Sequence, residues 1–158
     1  MTILTEDMKR LVREQSLGFV ATVCPDGTPN LSPKGTTSVW DDDHLVFADL
    51  ASPTTMANLA LNPAVEVNMV DPIVRKGYRF KGRASVHRDG PVFDRAVQFF
   101  ERERGIEAAR IHGVAIVAVE RAAAVVSPAY ERGASEHDVM ELFARRWEKT
   151  YGWKIEPR

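Results

Sequence analysis

Thr28–Leu59, TPNLSPKGTTSVWDDDHLVFADLASPTTMANL, is the stretch whose reading decides the fold. It reads as a strand, a tight acidic turn, a second strand and the opening turn of a helix. Thr28, Asn30, Ser32, Lys34, Thr36 and Ser38 fall at alternate positions, and a period of two puts them on one face of a strand. His44–Asp49 is the second strand and alternates less cleanly through Leu45, Val46, Phe47 and Ala48. Ala51-Ser52-Pro53-Thr54-Thr55 then signals a helix start, with Ser52 as a cap and proline at the first helical position. The free N–H groups of such a turn, the helix dipole and the hydroxyls of Ser52, Thr54 and Thr55 favour an anion. With Lys34 brought alongside, the pattern implies a cradle for the phosphate of a phosphorylated cofactor.

Outward from this stretch, the chain predicts one domain over residues 1–158. A chain of this length buries roughly 70% of its unfolded surface. Hydrophobic residues make up 44% and charged residues 27%, an ordinary balance for a globular chain. A net charge of −1 gives no general attraction to nucleic acid or anionic lipid, so an anion site must be local. The one cysteine, Cys24, excludes an intramolecular disulfide and a thiolate metal cluster. The acidic N-terminal segment does not read as a signal peptide, and nothing reads as a membrane span; a cytoplasmic location is expected.

Residues 5–16 predict a helix capped by Thr5. Gly18–Cys24 predicts a strand that pairs with the next through Pro25-Asp26-Gly27. Asp41-Asp42-Asp43 reads as a solvated turn. The helix from Pro53 stops at Asn62-Pro63. Ala64–Val70 and Gly77–His87 read as strands, the latter with an apolar face opposite Arg79, Lys81 and Arg83. A helix from Val92 ends at Gly105, and His112–Val126 is a long strand interrupted at Glu120-Arg121. Ser135 caps a last helix, and Tyr151–Arg158 forms the tail. Six strands joined mainly by tight turns predict an antiparallel sheet closed into a small barrel, mainly β with short helices. The histidines show no metal-ligand spacing, and no metal is expected.

The ordered set PNLSPKG, FADL, SPTTMANLALNP, VEVNMV and YRFKGRASV resembles the pyridoxamine 5′-phosphate oxidase-like FMN-binding split-barrel family over roughly residues 5–126. The resemblance implies a six-stranded antiparallel split β-barrel that forms a homodimer, with FMN at the subunit interface and a small-molecule substrate. It implies phosphate contacts from the strand Asn30–Gly35, which holds Ser32, Pro33, Lys34 and Gly35, and from Thr54 and Thr55 at the helix start; Ser52 and Asn58 on the same motif are further candidate cofactor-binding residues. It implies further that the backbone of Phe47, Ala48 and Asp49 lies against the isoalloxazine ring and that Lys76 and Arg79 approach from the rim. Trp153, with Trp147 and Tyr151, reads either as a residue stacking on the flavin or as packed core or interface. Two departures stand out. Classical oxidases of the family carry an Arg-Lys pair where this chain has Thr54-Thr55, and a Trp with a downstream Arg and His where Trp153 is followed only by Lys154-Ile155-Glu156-Pro157-Arg158. The expected function is an FMN-dependent oxidoreductase acting on an unidentified small substrate; a deazaflavin-dependent reductase and a flavin binder without turnover are the alternatives.

Overall fold

The computed structural model describes residues 2–156; Met1 and the last two residues of the expected tail, Pro157 and Arg158, lie outside the described residues. Helix α1 (Glu6–Gln15) opens where Thr5 Oγ1 accepts the Met8 N–H at 3.3 Å, and it closes at Ser16, whose φ is 58°. Its apolar stripe buries Leu11 and Val12. The acidic tip at Asp41–Asp43, expected only to be solvated, anchors this N-terminal segment. Lys9 Nζ lies 2.5 Å from Asp42, and the Ile3 N–H donates to Asp43 Oδ1 at 2.7 Å.

Seven strands form one antiparallel sheet: β1 (Gly18–Val23), β2 (Pro29–Lys34), β3 (Ser38–Val39), β4 (His44–Asp49), β5 (Ala64–Val70), β6 (Lys76–His87) and β7 (Gly113–Val126), in the order β2-β1-β5-β6-β7-β4-β3. The seventh strand arises because the long strand expected from Thr28 to Ser38 breaks at Gly35-Thr36. There the Thr37 N–H turns back to the Lys34 carbonyl at 3.3 Å, which separates β2 from β3.

That break has a topological consequence. β2 and β3 are the two edges of the sheet, yet only Gly35, Thr36 and Thr37 separate them in sequence. A flat seven-stranded sheet would set its edges about 29 Å apart, at about 4.8 Å per strand spacing. Four Cα steps reach about 15 Å at most. The sheet therefore curls until its edges meet at residues 35–37, and the split barrel has its seam there.

The barrel interior is filled by Val20, Leu45, Phe47, Val67, Met69, Phe80 and Val117, with Leu11 and Val12 from α1 and Met56 and Leu59 from helix α2 (Pro53–Leu61). A second apolar layer lies outside: Val46, Ala48, Val114 and Ile116 meet Ala96 and Phe100 of helix α3 (Gly90–Arg104). β4 is thus covered on both faces, which explains its imperfect alternation. Gly82 marks a register shift against β7, where Glu120 is skipped between Val119 and Arg121. A Cβ at Gly82 would sit 1.9 Å from the Ala118 carbonyl oxygen, so only glycine fits this bulge. Helix α4 (Glu136–Tyr151) begins with a reciprocal Ser135–Asp138 capping box. Among the described residues, no helix is long and apolar enough to cross a membrane.

Candidate functional site

The inward face of β2 is the polar one: Leu31 is 66% exposed, whereas Lys34 is only 4% exposed. Asn30, Ser32 and Lys34 share that inner face by their two-residue spacing. β2 pairs with β1, and opposite Asn30 stands Thr22, a buried hydroxyl in an otherwise apolar inward row. Thr22 Oγ1 accepts the side-chain amides of Asn30 at 3.2 Å and Asn58 at 3.1 Å. Asn30 Nδ2 is also 3.5 Å from Thr55 Oγ1. This network fixes the first turns of α2 against β1 and β2.

Lys34 completes the row. Its ammonium donates to the Ser32 hydroxyl, and burial pushes its pKa below the ordinary lysine value, against the opposing pull of the Asp49 carboxylate. Among the described residues no carboxylate lies within ion-pair distance of Nζ. A buried cation held only by a neutral hydroxyl leaves ammonium donors for an anion.

The same inward row meets the start of α2 through Asn30 and Thr55. Pro53 occupies the first helical position, and Ser52 stands at the cap without a side-chain capping bond. Instead the Asp49 carboxylate accepts the Ser52 N–H at 2.7 Å. Thr54 and Thr55 follow, within the turn whose N–H groups have no intrahelical acceptor. Thr54 is exposed and Thr55 buried, so one hydroxyl faces outward and the other joins the internal network. Asp49 places a negative charge beside this helix end and offsets part of its attraction for an anion.

The seam carries its own fastenings. Thr36 Oγ1 accepts the Ala48 N–H at 2.9 Å, and the Thr37 hydroxyl donates to the Lys34 carbonyl at 2.8 Å. Of the residues singled out from sequence, Ser32, Pro33, Lys34 and Gly35 lead into the seam, and Phe47, Ala48 and Asp49 lie on β4 behind it. Phe47 points into the barrel core and Ala48 into the outer layer, which leaves their backbone as the part of β4 that borders the seam. Ser52, Thr54, Thr55 and Asn58 lie on or beside the start of α2.

Of the remaining three, Lys76 and Arg79 are engaged elsewhere and Trp153 is exposed. Lys76 pairs with Glu136 at 2.7 Å and lies over the Tyr130 ring. Arg79 is on the exposed side of β6, 3.6 Å from Glu66. Trp153 is 77% exposed at the end of the chain. Sequence reasoning did not single out Thr22 or Arg104. Thr22 had a signal, a hydroxyl in the inward row with Val20; Arg104 had none, because its partners lie in a distant part of the chain.

The family model described as pyridoxamine 5′-phosphate oxidase matches residues 4–151. The chain belongs to the pyridoxamine 5′-phosphate oxidase family. Among solved structures, the family member is similar to HupZ of Group A Streptococcus, with 32% identity and a TM-score of 0.67 over 75% of this chain and 90% of that one. An F420 reductase is 24% identical with a TM-score of 0.59, covering 75% of this chain and 98% of its own. An FMN-binding protein from Syntrophomonas wolfei subsp. wolfei is 17% identical with a TM-score of 0.64, covering 78% and 87% respectively. The last two likenesses concern the fold. No curated protein matches the chain.

Proposed function

We propose that this member of the pyridoxamine 5′-phosphate oxidase family is a homodimeric oxidoreductase that binds FMN at the barrel seam. The observation carrying the reading is the buried Lys34 ammonium, which rests on the Ser32 hydroxyl in the inward row whose Asn30 meets Thr55 in the first turn of α2. A phosphate there would give Lys34 a charged acceptor and would use the free N–H groups of Thr54 and Thr55. When bound, a flavin supplies the electron-accepting ring. The chain's contribution is to hold the phosphate, to lay the backbone of Phe47–Asp49 along the ring and to exclude water from one side.

One further point supports the reading, and one sets its strength. Phe19 is 43% exposed and Leu31 is 66% exposed on the outer face of β1 and β2, next to Pro33 and one residue from the cradle's start. A second copy covering this apolar strip would shield one side of the seam. The pair of threonines at the start of α2 offers hydrogen bonds but no positive charge, so FMN binds more weakly than at a doubly basic helix end, by about 0.3–1 kcal/mol for each missing charge. Lys76, Arg79 and Trp153 stand outside the phosphate cradle in this reading and are left to the rim and the substrate.

The test is reconstitution. Purified protein is mixed with FMN, separated from free flavin and scanned in the visible range, then reduced without oxygen by NADPH or NADH. Retained, reducible flavin supports the oxidoreductase. Retained flavin that no donor reduces favours a flavin binder, and a colourless protein that retains F420 instead favours the deazaflavin reductase.

A further inference from the structure

Helix α3 lies between β6 and β7 in sequence, far from the cradle, yet it ends at the seam. Arg104, its last residue, donates from Nη2 to the Gly35 carbonyl at 2.6 Å and from Nη1 to the Ser38 hydroxyl at 3.0 Å. Those two acceptors stand on opposite sides of the turn that joins the sheet's edges, so one guanidinium spans it. The helix that carries the fork is itself anchored. Ala96 and Phe100 are buried against β4 and β7, and Phe99 meets Trp40, the residue after β3, edge to face at 5.7 Å.

We infer that Arg104 is a positioning residue for the cofactor's phosphate: it fixes the shape of the seam and thereby the direction of Lys34 and of the adjacent peptide groups. The inference rests on the phosphate reading given above. Its physical basis is the planarity of the peptide. No peptide among the described residues is cis, so turning the Gly35 carbonyl toward Arg104 turns the Thr36 N–H the opposite way. A carbonyl oxygen aimed at a phosphate would repel it, and the guanidinium holds this one in place with a charge-assisted bond. The Lys34 carbonyl is also taken, by the N–H and hydroxyl of Thr37, so the chain directly after the cation is held at both of its next carbonyls. The role needs arginine, because two acceptors on either side of a turn require a rigid fork and a lysine ammonium reaches them less well.

The test compares FMN with riboflavin, which lacks the phosphate. Dissociation constants for both are measured by flavin fluorescence in wild type, Arg104→Ala, Arg104→Lys and Ser38→Ala, beside thermal melts. The preference of wild type for FMN is expected to fall about tenfold in Arg104→Ala, while riboflavin affinity stays within about twofold. Arg104→Lys is expected to recover only part of the preference, and Ser38→Ala to lose about threefold. An Arg104→Ala protein with the wild-type preference would overturn the inference. So would full recovery with lysine, which would mean that charge alone matters, or an equal loss for both ligands, which would mean general loosening. If Arg104→Ala does not fold, Ser38→Ala decides. A wild-type protein that shows no preference for FMN would instead remove the phosphate reading on which the inference stands.

Discussion

The Lys34 side chain reaches back along its own strand to the hydroxyl of Ser32, the preceding inward residue of β2, and is buried there. Burying an ammonium on a neutral partner is unfavourable for the ligand-free fold. The same arrangement favours an arriving anion, since the cation is already desolvated. Replacing Lys34 with alanine is therefore expected to weaken FMN binding at least tenfold and to change the melting temperature of the ligand-free protein by no more than about 4 °C. Titration and melting of the same preparation check both parts.

The proton on Lys34 gives a second expectation. Burial lowers its pKa in the fold, and the Asp49 carboxylate only partly opposes this. Between the lowered value and the ordinary lysine value, the unfolded chain holds the proton that the folded chain has released. The unfolded state then binds more protons, so the group's contribution to stability rises with pH across that window. FMN affinity should fall across the same window, because in the proposed site the ammonium is what the phosphate would meet. Melts and titrations of wild type against Lys34→Ala, from about pH 8 to pH 11, isolate the group. A stability difference between the two proteins that falls as pH rises would be the wrong sign.

Gly82 tests the barrel rather than the site. Its bulge leaves no room for a Cβ next to the Ala118 carbonyl, and the close neighbour is backbone, which cannot swing aside. Gly82→Ala is expected to cost about 3 kcal/mol, a fall of roughly 10 °C in melting temperature. Gly35→Ala is the contrast, since a Cβ there meets nothing within 4 Å. Its melting temperature should stay within about 2 °C of wild type.

The framework of this fold is legible in the sequence where periodicity and punctuation agree. Thr5, Gly105 and Ser135 bound their helices as expected, and the glycine in the middle of β6 coincides with the skip at Glu120. The break at Gly35-Thr36 was not legible, because Thr36 and Ser38 continue the polar alternation straight through it. Nothing in local sequence distinguishes a strand that continues from one that turns and becomes the opposite edge of the sheet. The acidic tip misled for a similar reason: its partners, Lys9 and the Ile3 N–H, lie in the N-terminal segment, beyond the reach of local spacing. In the candidate site, the sequence pairs Lys34 with the start of α2 by chemistry alone, while the Thr22–Asn58 bond that holds α2 required the folded chain.

The apolar strip on β1 and β2 gives a prediction about assembly. Phe19 and Leu31 are exposed in the single chain, and both lie beside the residues leading to the seam. A Phe19→Asp/Leu31→Asp double variant is expected to sediment as a monomer where wild type sediments as a dimer. Its FMN affinity should fall at least tenfold, because in the proposed dimer the second copy would supply one wall of the site. A double variant that remains dimeric would exclude this strip as the interface.

The most direct measurement is the crystal structure of the protein grown with FMN. The phosphate oxygens are expected to lie about 2.7–3.1 Å from Lys34 Nζ and from the N–H groups of Thr54 and Thr55. Flavin bound with its phosphate elsewhere, and Lys34 still resting on Ser32, would contradict this placement.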